Sequence, residues 1–216
     1  MIKKQTKCPL CSQSKIGIFQ IINKKQYFIC SNCDLVFLAR QYHLKPKEEK
    51  KRYELHENDP QDKAYRKFLT QLANPITRFI NPPAVGLDYG CGPGPALAQM
   101  LEKKGYNMHI YDPFFADNQE ALAKTYDFIT SSEVFEHFRE PGQEISKIIS
   151  MVKTKGLIGI MTDLRPQEYM FKNWHYRRDP THVCFYSDQT FDWISQFYDL
   201  ERYKISKRVN ILRKMK

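Results

Sequence analysis

Residues 85–94 read VGLDYGCGPG and carry the pattern that decides the fold. An apolar stretch ends at an acid, Asp88, and a turn with three alternating glycines, Gly90, Gly92 and Gly94, leads into a helical stretch. Glycine allows tight turns and lets a ligand approach the backbone closely. In α/β proteins such ligands bind at the carboxyl ends of the strands. The stretch therefore predicts a strand, a ligand-binding loop and a helix.

Strand-like and helical stretches alternate around this loop. Apolar residues spaced i, i+3, i+4 and i+7 over 65–72 predict an amphipathic helix that ends before Pro75. We expect strands at 84–89, 106–112, 126–130, 157–162, 200–208 and 209–214, and helices at 95–104, 118–124, from Pro141 to a stop at Gly156, and from Ser187. Buried apolar strands that alternate with helices indicate a mostly parallel sheet covered on both faces. The predicted core is a doubly wound, Rossmann-like α/β domain.

The acid followed by G-x-G-x-G resembles the first motif of class I S-adenosylmethionine-dependent methyltransferases. Asp112, 24 residues after Asp88, matches the family's acid at the end of the second strand. Residues 126–138 (YDFITSSEVFEHF) are similar to its fourth-strand motif. The resemblance covers residues 84–164. It implies an enzyme that uses S-adenosylmethionine as cofactor.

The resemblance also implies which residues bind this cofactor. Asp88 and the backbone of the glycine loop would hold its amino acid end, and Asp112 would hold the ribose hydroxyls, since a carboxylate suits a vicinal diol. Phe114 would cover the adenine. The implied cofactor-binding residues are Asp88, Gly90, Cys91, Gly92, Gly94, Asp112, Phe114, Ser132 and Glu133. Cys91 enters as a small loop residue and not as a nucleophile.

The chain departs from the family pattern after Asp112. Only 14 residues separate Asp112 from Asp127, which leaves no room for the usual third strand and its helix. The acid that often contacts adenine is therefore missing as well.

Histidine and tyrosine residues supply the candidate catalytic groups. Methyl transfer requires alignment of the acceptor and, where needed, removal of its proton, and histidine is the natural base near neutral pH. Residues 174–187 (WHYRRDPTHVCFYS) resemble a stretch of small-molecule methyltransferases, at the place of a substrate lid. We predict His137, His182 and Tyr176 as catalytic candidates. A hydrogen bond to the cofactor loop for His137, and loop-stabilising contacts for His175 and His182, are the structural alternatives.

Four cysteines near the start predict a second, smaller module. Cys8 and Cys11 form one C-x2-C pair, Cys30 and Cys33 form another, and 18 residues lie between the pairs. This spacing is typical of a closed four-cysteine zinc site, whose metal is structural. The module resembles a zinc ribbon, with disulfides or a redox pair as the alternatives. The predicted division is a ribbon at 1–40, a linker with an amphipathic helix at 41–83, and a methyltransferase domain at 84–216.

Composition and charge limit the classes of protein to which the chain can belong. The chain of 216 residues is 42% hydrophobic with only 9 glycines, which excludes disordered and collagen-like classes. It lacks a run of 18 apolar residues and an apolar stretch after its first residues, so we expect a cytoplasmic protein without membrane partners. The net charge is +10. Residues 1–60 hold 12 basic and 6 acidic side chains, and residues 204–216 hold 6 basic and none acidic.

Three functions remain compatible with these features. The favoured one is O- or C-methylation of a small hydroxylated or carbonyl-bearing metabolite, because the lid-like stretch resembles small-molecule enzymes. The second is an RNA methyltransferase, since basic ends permit contact with nucleic acid, although lysine-rich surfaces also serve solubility. The third is a non-catalytic scaffold. The acceptor and the oligomeric state are not fixed by any residue.

Overall fold

The computed structural model describes residues 5–55 and 58–216. Its larger sheet contains β4 (Val85–Tyr89), β5 (Asn107–Tyr111), β6 (Tyr126–Ser132), β7 (Val152–Met161), β9 (Leu200–Lys204) and β10 (Val209–Lys214). The strand order is β5-β4-β6-β7-β10-β9. Strands β5, β4, β6 and β7 run parallel, whereas β10 is antiparallel to both of its neighbours. The predicted, mostly parallel α/β sheet is confirmed.

Helices cover both faces of this sheet, as predicted. Their bounds are α1 (Pro46–Tyr53), α2 (Lys63–Phe79), α3 (Ala96–Glu102), α4 (Gln119–Leu122), α5 (Pro141–Ser150), α6 (Glu168–Phe171) and α7 (Asp188–Phe197). Successive residues of a strand point to opposite faces. On β6, Phe128 joins the apolar core formed with α2 and α3, and Ile129 joins the core formed with α5 and α7.

The smaller sheet is antiparallel and carries the cysteine pairs. It contains β1 (Ile16–Ile22), β2 (Lys25–Cys30), β3 (Val36–Leu38) and β8 (Cys184–Phe185), in that spatial order. Strand β8 comes from the far end of the chain, where Phe185 pairs with Val36. Its buried residues belong to the same apolar core as Ile129. The ribbon-like sheet and the larger sheet are therefore packed together, while the division at residues 40 and 83 stays a prediction.

The larger sheet ends where the sequence leaves no room for another strand. In the described residues β5 is an edge strand, paired only with β4. The chain from β5 to β6 forms a turn, with a bridge between Asp112 and Ala116, and the single-turn helix α4. The short connection therefore places Asp112 at an open edge of the sheet.

Two predicted helix ends are wrong. Helix α2 continues through Pro75 to Phe79, because the buried Leu72 and Ile76 pack closely on Gly159 of β7 and offset the hydrogen bond that proline removes. Helix α5 ends at Ser150, before Gly156. Gly156 instead lies within β7, beside a shift in the pairing with β6, where a Cβ would come within 2.8 Å of the Asp127 carbonyl oxygen.

The predicted linker at 41–83 contains, besides α2, the partly buried helix α1. In α1, Glu49 is only 8% exposed and pairs with Arg139. The Tyr53 hydroxyl donates a hydrogen bond to Glu49 at 2.9 Å. The apolar periodicity of α1 is weak because a charge pair, and not an apolar stripe, holds this helix against the segment that carries Arg139. No helix within the described residues is long and apolar enough to cross a membrane.

Candidate active site

The glycine loop joins β4 to α3 and follows the predicted course. Gly90 and Gly92 have φ values of +80° and +64°, a region that favours glycine. The backbone N–H groups of Gly90 and Cys91 donate to the Tyr111 carbonyl at 2.7 and 3.2 Å. The loop is therefore held between the end of β4, from which it continues, and the end of β5, to which it is hydrogen-bonded. Burial raises the pKa of the Cys91 thiol, in keeping with its assignment as a loop residue and not a nucleophile.

Gly94 is required by a close contact. A Cβ at this position would lie 1.8 Å from the backbone oxygen of Asn58. We expect Gly94→Ala to lower the free energy of unfolding by about 1–3 kcal/mol, the usual cost of overpacking, as measured by urea unfolding. Gly17→Ala is the control, because a Cβ there meets no atom within 4 Å. Equal stability of the two variants would contradict the assigned contact.

Asp112 lies 8% exposed at the end of β5 and holds two loops together. Its Oδ2 accepts a hydrogen bond from the Gly92 N–H at 3.0 Å. Its Oδ1 accepts from the N–H groups of Phe114 and Phe115 at 2.8 and 3.2 Å. Asp112, Phe114 and the loop residues 90–93 share the wall of one cavity.

Asp88 occupies a different position, buried behind the loop. It is 3% exposed and does not line the cavity. Its Oδ1 accepts a hydrogen bond from the Thr130 hydroxyl at 2.9 Å. Burial raises the pKa of Asp88 to about 7, against the opposing effect of this hydrogen bond. The carboxyl group thus connects the end of β4 to β6, directly before the loop.

The raised pKa of Asp88 makes a pH-dependent prediction. The folded chain retains this proton up to about pH 7, whereas the ordinary pKa of 3.8 releases it earlier in the unfolded chain. The folded state binds more protons in this window, so the stability that Asp88 contributes falls as the pH rises. The neutral Asp88→Asn variant lacks this loss. The free energy of unfolding of this variant, relative to that of wild type, should rise by about 2–3 kcal/mol between pH 5 and pH 8, as measured by urea unfolding. A pH-independent difference would contradict the assignment.

Two glutamates follow β6, of which Glu133 is half-buried and Glu136 is fully buried. Glu133 has a φ of +54°, and its N–H donates to the Met161 carbonyl at 2.7 Å. Glu136 is fully buried and accepts a hydrogen bond from the Thr162 hydroxyl at 2.8 Å. Burial raises the pKa of Glu133 to about 8 and that of Glu136 to about 7. Ser132 and Glu133 line the cavity, and their contact with the cofactor stays a prediction.

The structure brings the three catalytic candidates together. The rings of His137 and His182 lie 4.7 Å apart, and that of Tyr176 lies 4.2 Å from His182. The Tyr176 hydroxyl lies 3.1 Å from the Thr162 hydroxyl, and burial raises its pKa well above the usual value. His175 stands apart, with 76% of its side chain exposed.

The same cavity joins the loop residues to this cluster. Its volume is about 930 Å³, at the upper end of ligand pockets. The lining residues that sequence reasoning missed include Asn58, Tyr65 and Tyr53, and it also missed Glu136 behind the wall. The Tyr53 ring lies 5.6 Å from Phe114 and 5.2 Å from His137, between the two ends of the cavity. No local signal marks Tyr53, because its partners are far away in the sequence.

The four paired cysteines form one cluster. Their Sγ atoms all lie within 4.8 Å of one another, with Cys8 3.5 Å from Cys33 and Cys11 3.5 Å from Cys30. A disulfide needs about 2.05 Å, whereas sulfurs around a tetrahedral zinc ion lie about 3.8 Å apart. The cluster in its antiparallel sheet therefore fits a small zinc ribbon and does not form the alternative disulfides.

Comparison with known proteins gives the family. A family model described as a methyltransferase domain matches residues 56–204, more than half of the chain. The chain belongs to this family. With the fold and the acid-glycine loop described above, it is a class I S-adenosylmethionine-dependent methyltransferase. No curated protein sequence matches the chain significantly.

Solved structures share the fold at low sequence identity. One is 1,6-didemethyltoxoflavin-N1-methyltransferase from Burkholderia thailandensis with bound 1,6-didemethyltoxoflavin and S-adenosylhomocysteine. It is 14% identical over 91% of this chain and 98% of its own, with a TM-score of 0.54. A SAM-dependent methyltransferase from Archaeoglobus fulgidus is 20% identical over 63% of this chain and 69% of its own, with a TM-score of 0.49. At 14% identity, the Burkholderia structure shows the fold alone.

Proposed function

We propose that this enzyme transfers a methyl group from S-adenosylmethionine to a small hydroxylated or carbonyl-bearing acceptor. The observation that carries the proposal is the single cavity that joins the glycine loop and Asp112 to Glu133, His137 and His182. A cofactor end and a polar acceptor end thus share one cavity. The acceptor atom, oxygen or carbon, is left to the experiment below.

The residues at the cofactor end fit S-adenosylmethionine. The loop backbone at Gly90 and Gly92 is accessible from the cavity, and the carboxylate of Asp112 stands beside it to accept hydrogen bonds from ribose hydroxyls. Phe114 provides an aromatic face for the adenine. Asp88 acts in this proposal by supporting the loop. When bound, the cofactor supplies an electrophilic methyl group on its sulfonium.

The residues at the acceptor end align the acceptor and receive its proton. The imidazoles of His137 and His182 reach the cavity wall, and histidine is the natural base near neutral pH. Tyr176 positions His182, since its carbonyl lies 2.7 Å from Nδ1 and its hydroxyl is directed to the buried Thr162. In-line displacement demands chiefly this alignment.

Zinc at the four-cysteine cluster is the structural part of the proposal. Four thiolates close the tetrahedron, so that the metal has no open position for catalysis. The first C-x2-C turn supports the catalytic domain directly. The Gly142 N–H of α5 donates to the Pro9 carbonyl at 3.2 Å, and a Cβ on Gly142 would lie 2.4 Å from the Leu10 oxygen.

The contacts of the basic C-terminus favour a small acceptor over RNA. Five of the six basic residues there already have partners in the chain: Lys204 pairs with Asp188, Arg208 with Asp163, Arg213 with Glu201 and Lys216 with Asp199, while Lys214 donates to two backbone carbonyls. RNA binding would require these pairs to be replaced by phosphate contacts.

The proposal is tested with the zinc-replete protein. Calorimetry is expected to show one S-adenosylhomocysteine bound per chain. Transfer of a radiolabelled methyl group is then measured against phenols, polyols, β-keto compounds and bulk RNA. Methylation of a hydroxyl or an activated carbon supports the proposal. Absence of S-adenosylhomocysteine binding, or methylation of RNA alone, would overturn it.

A further inference from the structure

Three side chains at the acceptor end of the cavity converge as metal ligands do. The ligand atoms of Glu136, His137 and His182 all lie within 4.8 Å of one another. Glu136 and His137 lie on the turn after β6, and His182 lies in the irregular segment before β8. Glu136 Oε1 lies 3.8 Å from His137 Nε2. Two ligands of a tetrahedral zinc-like ion lie about 3.4 Å apart, so that small side-chain rotations suffice.

Backbone contacts fix the orientation of both imidazoles. His137 Nδ1 lies 3.2 Å from the Thr181 carbonyl oxygen, and His182 Nδ1 lies 2.7 Å from that of Tyr176. A carbonyl only accepts hydrogen bonds, so Nδ1 carries the proton in each ring. The neutral ring then has its lone pair on Nε2. Metal-binding histidines are held in the same way, with the second nitrogen donating to a carbonyl or carboxylate.

The buried carboxylate supplies an independent observation. Glu136 is 0% exposed, and its Oε1 has no hydrogen-bond partner among the described residues, whereas its Oε2 accepts from Thr162. Leaving a buried carboxylate oxygen without a donor is costly. The oxygen lies 3.8 Å from His137 Nε2, so a cation bound between these two atoms would give the buried oxygen a positively charged partner.

We infer that Glu136, His137 and His182 bind a divalent cation that holds the acceptor through a hydroxyl oxygen. With the cation bound, its charge lowers the pKa of that hydroxyl, and the proton passes to solvent instead of to the imidazoles. Two imidazoles and one carboxylate suit first-row ions such as Mn²⁺, Fe²⁺ or Zn²⁺ better than Mg²⁺ or Ca²⁺. Three protein ligands leave at least one position open, and both histidines line the cavity. The cation site stands on the geometry alone, while its role toward the acceptor rests on the proposed function.

Manganese distinguishes this site from the cysteine cluster. Mn²⁺ prefers oxygen and nitrogen ligands to thiolates, so protein loaded with one equivalent of zinc, which the four thiolates bind most tightly, keeps its four-cysteine site and leaves the second site open during the titration. Electron paramagnetic resonance of free Mn²⁺ should show one ion bound per chain. Glu136→Gln and His182→Ala are expected to weaken this binding at least tenfold. His175→Ala, which alters a histidine of the same cavity outside the cluster, should bind Mn²⁺ as wild type does.

Two further readouts make each outcome decisive. Bound Mn²⁺ should enhance water-proton relaxation through its open position, and a lack of enhancement would overturn the role toward the acceptor. Failure of wild type to bind Mn²⁺, or equal binding by all the variants, would overturn the cation site. S-adenosylhomocysteine binding is measured in the same samples and confirms folding of each variant. If wild type binds Mn²⁺ but not S-adenosylhomocysteine, the proposed function is refuted and the cation site is retained.

Discussion

Asp112→Ala is expected to weaken the binding of S-adenosylhomocysteine by about two to four orders of magnitude. Hydrogen bonds to a charged group contribute about 1.5–3 kcal/mol each, and a ribose offers two hydroxyls to this carboxylate. The variant also loses the acceptor for the N–H groups of Gly92 and Phe114, which positions the loop. Calorimetric titration of both proteins measures the change.

Asp112→Asn separates the contribution of the ribose hydrogen bonds from that of loop positioning. The amide retains one oxygen acceptor but introduces a donor, so it should bind more weakly than wild type and more tightly than Asp112→Ala. Gln143→Ala is the control, since Gln143 lines the same cavity and is assigned no contact with the ribose. Binding by Asp112→Ala within threefold of wild type would refute the ribose assignment.

The strand, the glycine loop and Asp112 were predictable because their signals are local. The acid and the three glycines are adjacent in sequence, and the backbone angles they permit follow from glycine itself. The missing third strand was predictable from the number of residues between Asp112 and Asp127. The sheet order of the described residues confirms the strand and the missing third strand.

The missed features depend on contacts between distant residues. Tyr53 reaches the cavity because Glu49 pairs with Arg139, 90 residues away. Strand β8 has only two residues, and it forms because β3 offers an unpaired edge. The continuation of α2 past Pro75 depends on Gly159. These three features are set by tertiary packing, which overrides the local propensity of the sequence.

Cys30→Ser is expected to release zinc and to destabilise the whole chain. Structural zinc contributes about 10–16 kcal/mol of apparent binding free energy in zinc-finger peptides, which is folding free energy when the apo site is unformed. Cys30 is fully buried and ends β2, and the cluster shares one apolar core with the larger sheet. The loss of stability should therefore extend to the cavity and not be confined to the zinc ribbon.

The path of this effect follows from the contact between Pro9 and Gly142. The first C-x2-C turn rests on the beginning of α5, directly after the segment that carries Glu136 and His137. Elemental analysis should find one zinc per chain in wild type and in Cys184→Ser, whose thiol is buried outside the cluster, and less than half in Cys30→Ser. Calorimetric melting and S-adenosylhomocysteine titration should show loss of stability and of binding only in Cys30→Ser. A zinc-free variant that melts and binds as wild type does would show that the ribbon is independent of the catalytic domain.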